Sequence, residues 1–407
     1  MSNATPYPPR MVVWLVSCLL TGAGSSSFAQ EYSPVVDDRV ESGDVQPPVV
    51  EDHTERAAGW DLGMVIAAAY DNNIFLSSKN AESDMVVRAA PSVAYSKGDA
   101  MEGEGGFVKA GYRPTAVFYS DFGSENRIDH QAVATAGWRG KLTKVVYNGA
   151  IQKLGDATAD TGRPTDRLEF ENELRVAWIP REKVTLEAAV GSRQRDYADP
   201  EFYDSGKNYG EVAMRYTYSP KTELGVIYQI GRFKVDGTGP QDTQQLKGNI
   251  VWQPREKIRV DLQAGAEHRK TDNGSSTNPV LEGRLEWKPR KETELYVTAY
   301  MREEASAFYA GQNYGVKGVT AGVSQRLGGK WSAKLEGGFE RNSYEVVSGT
   351  GSDGREDRIW FVRPALTYRI GDQSDLSFFY RASDNSSTDP AFGYDQNMIG
   401  VEFNHKF

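Results

Sequence analysis

Residues 257–269 read Lys257-Ile-Arg-Val-Asp-Leu-Gln-Ala-Gly-Ala-Glu-His-Arg269, and this stretch decides the fold class. Its side chains alternate: Ile258 and Val260 fall on one face of an extended chain, and Arg259 and Asp261 fall on the other. Successive side chains of a strand point to opposite faces, so the pattern predicts a β-strand. One face of this strand is apolar and the other is strongly charged.

The same alternation recurs along the chain from about Trp60 to Phe407, as in Leu168–Trp178 and Glu294–Arg302. A strand of a sandwich or propeller would not usually carry so many charges on one face. Strands of about ten residues, apolar outside and polar inside, are typical of tilted strands that cross a bilayer. The chain has 39% hydrophobic residues and 11% aromatic residues, which suits a barrel that hides its hydrophobicity in alternation.

An aromatic residue followed by a turn signal recurs before each short connection. The clearest cases are Trp178-Ile-Pro-Arg, Tyr218-Ser-Pro-Lys, Trp252-Gln-Pro-Arg and Trp287-Lys-Pro-Arg. Longer polar loops occupy the other ends of the strands, as expected for short periplasmic turns and long external loops. Aromatic rings are favoured at the headgroup level. We therefore predict a periplasmic aromatic girdle of Trp138, Trp178, Tyr218, Trp252, Trp287 and Tyr368.

The predicted fold is all-β: a single transmembrane antiparallel up-and-down β-barrel of about 18 strands, with about 16 as the alternative. An even count is required if both termini lie in the periplasm. The first strand is expected near Gly59–Tyr70 and the last at Tyr394–Phe407. Apolar residues alternate along the last strand, and Phe403 and the terminal Phe407 are predicted to form the signal that the barrel-assembly machinery reads.

The N-terminal residues 1–29 are predicted to be a secretory signal peptide. Arg10 supplies the positive region, Met11–Leu20 is the apolar region, and small residues precede a cleavage site after Ala29. Alternatively, Leu15-Val-Ser-Cys18 resembles a lipobox with Cys18 as the lipidated residue. Residues 30–58 are acidic and without apolar period, which indicates a disordered periplasmic tail. The barrel then comprises residues 59–407, and the expected location is the outer membrane of a Gram-negative-type bacterium.

Charge and cysteine content exclude several classes of function. The formal net charge is −9, which argues against nucleic acid as a partner because phosphate binding needs a basic face. Cys18 is the one cysteine and lies in the predicted signal peptide, so disulfides and thiolate metal sites are not expected in the mature chain. We predict no cofactor and no metal.

The inward-facing charges are the main candidates for function. Both signs occur, so the predicted lumen is strongly hydrated rather than a filter of one charge. Tyr296 and Tyr300 share this face; they could stack against sugars or simply pack within the lumen. The predicted lumen-lining residues are Glu169, Glu171, Glu173, Arg175, Glu187, Arg259, Asp261, Glu267, Glu282, Arg284, Glu286, Tyr296, Tyr300, Lys334, Glu336 and Arg363.

A catalytic role is not expected. A barrel protease or phospholipase needs His with Asp, or Ser with His and Asn, clustered near the membrane rim. The four histidines are His53, His130, His268 and His405. Asp129 precedes His130, but no serine pattern accompanies the pair. We therefore predict no catalytic residues.

The element Tyr70-Asp-Asn-Asn-Ile-Phe75, followed by Asp84–Tyr95, resembles the opening of the β-barrel porin type 2 family. Members typically begin with a Tyr-x-Asp-Asn-Ile element and a Pro-x-Val/Leu-x-Tyr strand; Asn73 is a small departure in spacing. The resemblance implies an outer-membrane barrel, associated in many members with exopolysaccharide secretion. It supplies no catalytic residues.

These observations predict a passive channel, first as a conduit or accessory for extracellular polysaccharide export. The alternatives are a general diffusion porin for small hydrophilic solutes and a structural barrel with a closed lumen. A long inward-folded loop would favour the porin, and no loop in the sequence exceeds about 15 residues. The expected partners are outer-membrane lipid and lipopolysaccharide, the barrel-assembly machinery and, for export, polysaccharide and periplasmic export components.

Overall fold

The structure is a computed structural model that describes residues 58–98, 104–272, 274–344 and 354–407. The predicted signal peptide and the acidic tail lie outside the described residues, except for Ala58, where the first strand begins. In order, the strands are β1 (Ala58–Asp71), β2 (Asp84–Lys97), β3 (Gly105–Tyr119), β4 (Arg127–Arg139), β5 (Thr143–Leu154), β6 (Arg167–Arg181), β7 (Val184–Tyr197), β8 (Ser205–Ser219), β9 (Thr222–Val235), β10 (Gln241–Arg255), β11 (Ile258–Thr271), β12 (Gly274–Arg290), β13 (Thr293–Ala305), β14 (Asn313–Gly328), β15 (Trp331–Tyr344), β16 (Glu356–Arg369), β17 (Ser374–Ser387) and β18 (Tyr394–Lys406).

The strands form one closed ring. Each strand pairs antiparallel with its neighbours in the chain, and β1 pairs with both β2 and β18. This confirms the predicted all-β, up-and-down barrel and its count of 18 strands. Closure leaves no unpaired strand edge, as a barrel in a bilayer requires. In the part of the chain that the structure describes, no helix is long and apolar enough to span a membrane.

The barrel is apolar outside and polar inside. Val190, Val212 and Leu246 are more than half exposed on the outer face. Glu173 and Asp357, by contrast, are almost fully buried on the inner face. This distribution is the reverse of that in a water-soluble domain, where charged residues are seldom buried. It indicates that lipid, and not water, surrounds the strands.

The repeated aromatic–proline motif forms a β-bulge at one end of the barrel. The pairing register shifts between Trp178 and Arg181, and again after Trp252 and Trp287. Within the bulge a proline costs no ladder hydrogen bond. The Lys257 ammonium of one turn donates to the Pro289 carbonyl of the next, at 2.8 Å. The motif therefore links successive short turns around the rim. The aromatic rings of the predicted girdle are exposed on the lipid face, and that of Tyr368 is partly exposed.

The chain ends by closing the ring. Ile399, Val401 and Phe403 face outward on β18, which pairs with β1 along nine positions from Met398 to Lys406. The Phe407 amide donates to the Leu62 carbonyl at 3.0 Å. Both ends of the barrel chain thus lie at the rim that carries the short turns.

Candidate transport pathway and its inward loop

Every predicted lumen-lining residue lies at a buried or half-buried inward position on its strand. Arg175 on β6 shows how the charges are arranged: it donates to Glu173 at 2.9 Å, and to Glu187 and Glu211 at 3.0 Å each. These partners lie on β6, β7 and β8. Opposite charges within hydrogen-bonding distance offset the cost of removing each from water.

A second network lies further round the wall, on β11, β13 and β15. Arg269 pairs with Glu267 at 2.7 Å and with Glu303 at 3.1 Å. The Tyr300 hydroxyl donates to Glu340 at 2.7 Å. The interior of this wall is therefore a mesh of mutually neutralising charges, and it does not present a single sign of charge to a passing solute.

The wall formed by β2 to β5 carries basic residues that are absent from the predicted lumen-lining set. Arg88 on β2, Lys109 and Arg113 on β3, and Lys144 on β5 all occupy inward positions. Arg113 donates to Gln131 at 2.6 Å. The same period-two alternation places them inward, but the first hairpins have the weakest patterns. This wall gives the lumen a basic side.

The loop between β5 and β6 folds into the barrel. Residues 155–161 are all buried, although loops normally run over the surface. Ala157 and Pro164 form an antiparallel bridge, and the Gly162 amide donates to the Thr158 carbonyl at 2.8 Å. Twelve residues thus form a small hairpin, which we call the inward loop (residues 155–166).

The tip of the inward loop is bonded to the far wall. The Asp160 carboxylate accepts hydrogen bonds from the Ala307 amide at 2.6 Å, the Ser306 hydroxyl at 2.9 Å and the Tyr344 hydroxyl at 3.0 Å. The Arg355 guanidinium donates to the Ala159 carbonyl. Ser306 and Ala307 directly follow β13, Tyr344 ends β15 and Arg355 precedes β16, and these strands lie roughly opposite β5 and β6 in the ring of eighteen. Through these contacts the inward loop connects the β5–β6 side of the barrel to the opposite wall.

Burial raises the pKa of the Asp160 carboxyl above its ordinary value. The Arg355 guanidinium and the hydrogen bonds from Ala307, Ser306 and Tyr344 act in the opposite direction. Removal from water costs an ionised carboxylate more than a neutral one. The docked tip therefore holds a proton more readily than the same side chain would in water.

Aromatic residues from two other loops pack beside the inward loop. The Phe308 ring lies 5.0 Å from Phe392 and 5.0 Å from Tyr309, in edge-on contacts. Arg355 stacks with its guanidinium carbon 3.5 Å from the centre of the Phe392 ring. On the near side, Arg163 pairs with Asp199 at 2.8 Å. Hydrogen bonds, ion pairs and aromatic packing together therefore narrow the end of the barrel that carries the longer loops.

The three described histidines lie apart from one another in the barrel wall, and His405 on β18 bonds the Ser374 hydroxyl at 2.7 Å. His130 on β4 bonds the Tyr112 hydroxyl at 2.8 Å, and His268 on β11 bonds the Thr277 hydroxyl at 2.9 Å. Both face outward, on strands seven positions apart in the ring. Within the described ranges, no group of three His, Cys, Asp or Glu side chains is placed to hold a metal ion.

Residues 274–407 match the sequence model of the family described as "Putative beta-barrel porin 2". This match confirms the resemblance from β12 to the C-terminus, whereas the Tyr70–Phe75 element lies outside the matched segment. No curated protein sequence matches the chain. The chain is an 18-stranded antiparallel β-barrel whose residues 274–407 resemble this family.

Several solved structures resemble the barrel at low identity. OpdQ of Pseudomonas aeruginosa has a TM-score of 0.47 and 11% identity, with 86% of this chain and 98% of that chain covered. OccAB3 of Acinetobacter baumannii has a TM-score of 0.47 and 9% identity, covering 86% and 99%. OpdK of Pseudomonas aeruginosa, solved with vanillate, has a TM-score of 0.46 and 12% identity, covering 86% and 99%.

Proposed function

We propose that the protein is a passive outer-membrane channel for small hydrophilic solutes, constricted by the inward loop. The observation that carries this proposal is the Asp160 tip, bonded to the Ser306, Ala307 and Tyr344 groups of the opposite wall. The inward loop, bonded to the opposite wall, divides the lumen and limits the size of the solutes that can pass. The charged walls keep the remaining space hydrated.

The inward loop favours this function over polysaccharide export. A polymer chain needs one continuous bore along the whole lumen. The loop divides that bore where Ala159 packs against Tyr344 and the other buried residues of the far wall. The inward loop is short, but its twelve residues form a hairpin that is long enough to reach the opposite wall. Export therefore requires the whole loop to leave the barrel, whereas a small solute needs only the space beside it.

Tyr296 and Tyr300 give no separate support to a sugar path. Their hydroxyls donate to Glu336 and Glu340 two strands away. Their rings lie over Gly322 and Gly318 on the neighbouring strand, so that packing within the wall occupies one ring face. These contacts account for both tyrosines without a ligand.

The test is swelling of liposomes that contain the purified barrel, in solutions of sugars of increasing size. We expect rapid swelling with a monosaccharide, slower swelling with a disaccharide and little with a tetrasaccharide or longer. Swelling that is equally fast with long oligosaccharides would instead favour the export conduit. No swelling with any sugar, with folding confirmed by heat-modifiable gel migration, would favour the closed structural barrel.

A further inference from the structure

Three cations stand side by side on the outer face of β14, β15 and β16. Lys317 is paired in register with Arg341, and Arg341 is paired with Arg358. All three side chains are exposed. Neighbouring strands lie about 5 Å apart, so the three positions span about 10 Å across the sheet. We call these three residues the basic row.

The basic row is not explained by folding. Like charges directly opposite on adjacent strands destabilise a sheet. Within the described part of the chain, the ion pairs of the row run to one carboxylate, Glu356, which Arg341 and Arg358 share. Asp384 on β17 lies on the same outer face, opposite Trp360. Among the described side chains of these four strands, three cations with Glu356 and Asp384 leave an excess of one positive charge beside the row. Such an excess favours an anion from outside the chain.

A row of apolar residues lies directly below the basic row. Val319 is paired with Phe339, and Phe339 with Trp360, one outward position further along the same three strands. All three are more than 40% exposed. A ligand that fills both rows has an anionic group above and hydrocarbon below.

The height of the basic row matches the outer surface of a membrane. Trp331 and Tyr368, which are paired across β15 and β16 at the rim of short turns, each lie ten residues from the row. Ten residues at about 3.3 Å each, in strands tilted by about 40°, rise about 25 Å. The apolar band of an outer-membrane barrel is about 25 Å tall. The row therefore lies at the headgroup level of the external leaflet.

Elsewhere on the same rim the charges alternate in sign. Arg232 on β9 is paired with Asp242 on β10, and Asp242 with Lys270 on β11. Arg232 and Asp242 form an ion pair at 3.0 Å with both side chains more than half exposed. This row neutralises itself, at least in part, and provides a matched control for the basic row.

We propose that the basic row binds a phosphate group of lipopolysaccharide in the external leaflet, with its acyl chain against Val319, Phe339 and Trp360. Arginine and lysine are the residues that pair with phosphate oxygens. The site lies on the outside of the wall, so the proposal does not depend on what passes through the lumen.

The experiment is native mass spectrometry of the detergent-purified full chain, titrated with phosphorylated or dephosphorylated lipid A. Replacing Lys317, Arg341 and Arg358 together by Gln is expected to weaken binding of the phosphorylated form at least about tenfold. This is the change in affinity expected from the loss of one charge-assisted hydrogen bond. The control that changes Arg232 and Lys270 to Gln should stay within about twofold. Heat-modifiable migration establishes that each variant is folded; if the triple variant does not fold, Lys317→Gln alone is measured and is expected to bind about threefold more weakly.

A further variant separates anion binding from a purely structural role. Glu356→Gln removes the carboxylate that competes for both arginines, so it should bind phosphorylated lipid A about two- to threefold more tightly. Unchanged or weaker binding by this variant would overturn the proposal. Equal losses in the triple variant and its control, or equal wild-type affinity for the two lipid A forms, would overturn it as well.

Discussion

Asp160 is the residue on which the constriction of the lumen depends most directly. Its carboxylate is buried and is the shared acceptor for Ser306, Ala307 and Tyr344, which belong to a loop and a strand 146 to 184 residues away in the chain. A buried donor that loses its acceptor costs about 1–3 kcal/mol. Removal of the carboxylate takes away the acceptor that these three donors share.

At the residue scale, Asp160→Ala is therefore expected to release the inward loop. Losing the acceptor for three buried donors should cost at least about 3 kcal/mol of docking free energy, a shift of roughly 100-fold or more in the docked-to-released ratio. Single-channel recording in a planar bilayer should show a larger conductance. The control Asp242→Ala removes an exposed rim carboxylate and should leave conductance unchanged. Equal conductance in wild type and Asp160→Ala would argue against the loop as the constriction.

Paired strands explain many of the inward aromatic residues. Tyr300 lies opposite Gly318, Tyr296 opposite Gly322, and Tyr209 opposite Gly191. In each pair a Cβ added to the glycine would overlap the tyrosine ring. The ring therefore lies flat over the glycine of the next strand, which covers exposed backbone and fixes the register. Part of the high glycine content of the chain is therefore needed to make room for the inward tyrosine rings.

At the scale of one strand, two glycines of β14 give a matched comparison. Gly318→Ala forces the Tyr300 ring aside and strains its bond to Glu340, so we expect a loss of about 1–3 kcal/mol in unfolding free energy. Gly315→Ala should cost less than about 0.5 kcal/mol because nothing lies within 4 Å of the added methyl. Urea unfolding in detergent or lipid measures both. Similar losses in the two variants would show that ring-on-glycine packing does not matter at this strand.

For the molecule as a whole, the inward loop couples the two halves of the barrel. Because burial raises the pKa of Asp160, the docked form binds a proton more tightly than the released form. Docking is then strongest below the ordinary pKa of the carboxyl and weakens as the pH rises through the raised, docked value. The charged and titratable groups that face Asp160 are Arg355 and Tyr344, with Asp357 bound to Arg355 at 3.0 Å.

Acid should consequently close the channel. We expect a lower open probability at about pH 4 than at about pH 7 in bilayer recordings of the wild type. In Asp160→Ala this dependence should be strongly reduced, because the titrating group is gone. A wild type that opens on acidification would contradict the expected direction of the pH response. A variant that retains the full pH response would place the titration in another group.

The sequence by itself determined the barrel. The apolar–polar alternation of β11, the turn motif after Trp252 and the last strand ending at Phe407 are local patterns, and each specifies a strand, a rim or a closing edge without reference to distant residues. The alternation also specified which charges face inward, because side-chain direction follows from chain position alone. The acidic tail and signal peptide stay predictions.

Only the tertiary structure decided what obstructs the lumen and which rim residues meet. The segment 155–166 is polar and glycine-containing, like an external loop, and its burial depends on a barrel diameter that twelve residues can span. Its partners Ser306 and Tyr344 have no local signal in the sequence. The basic row likewise requires the strand register that places Lys317, Arg341 and Arg358 side by side. Periodicity fixes the direction of a side chain, but which distant residues become neighbours depends on strand pairing and ring closure.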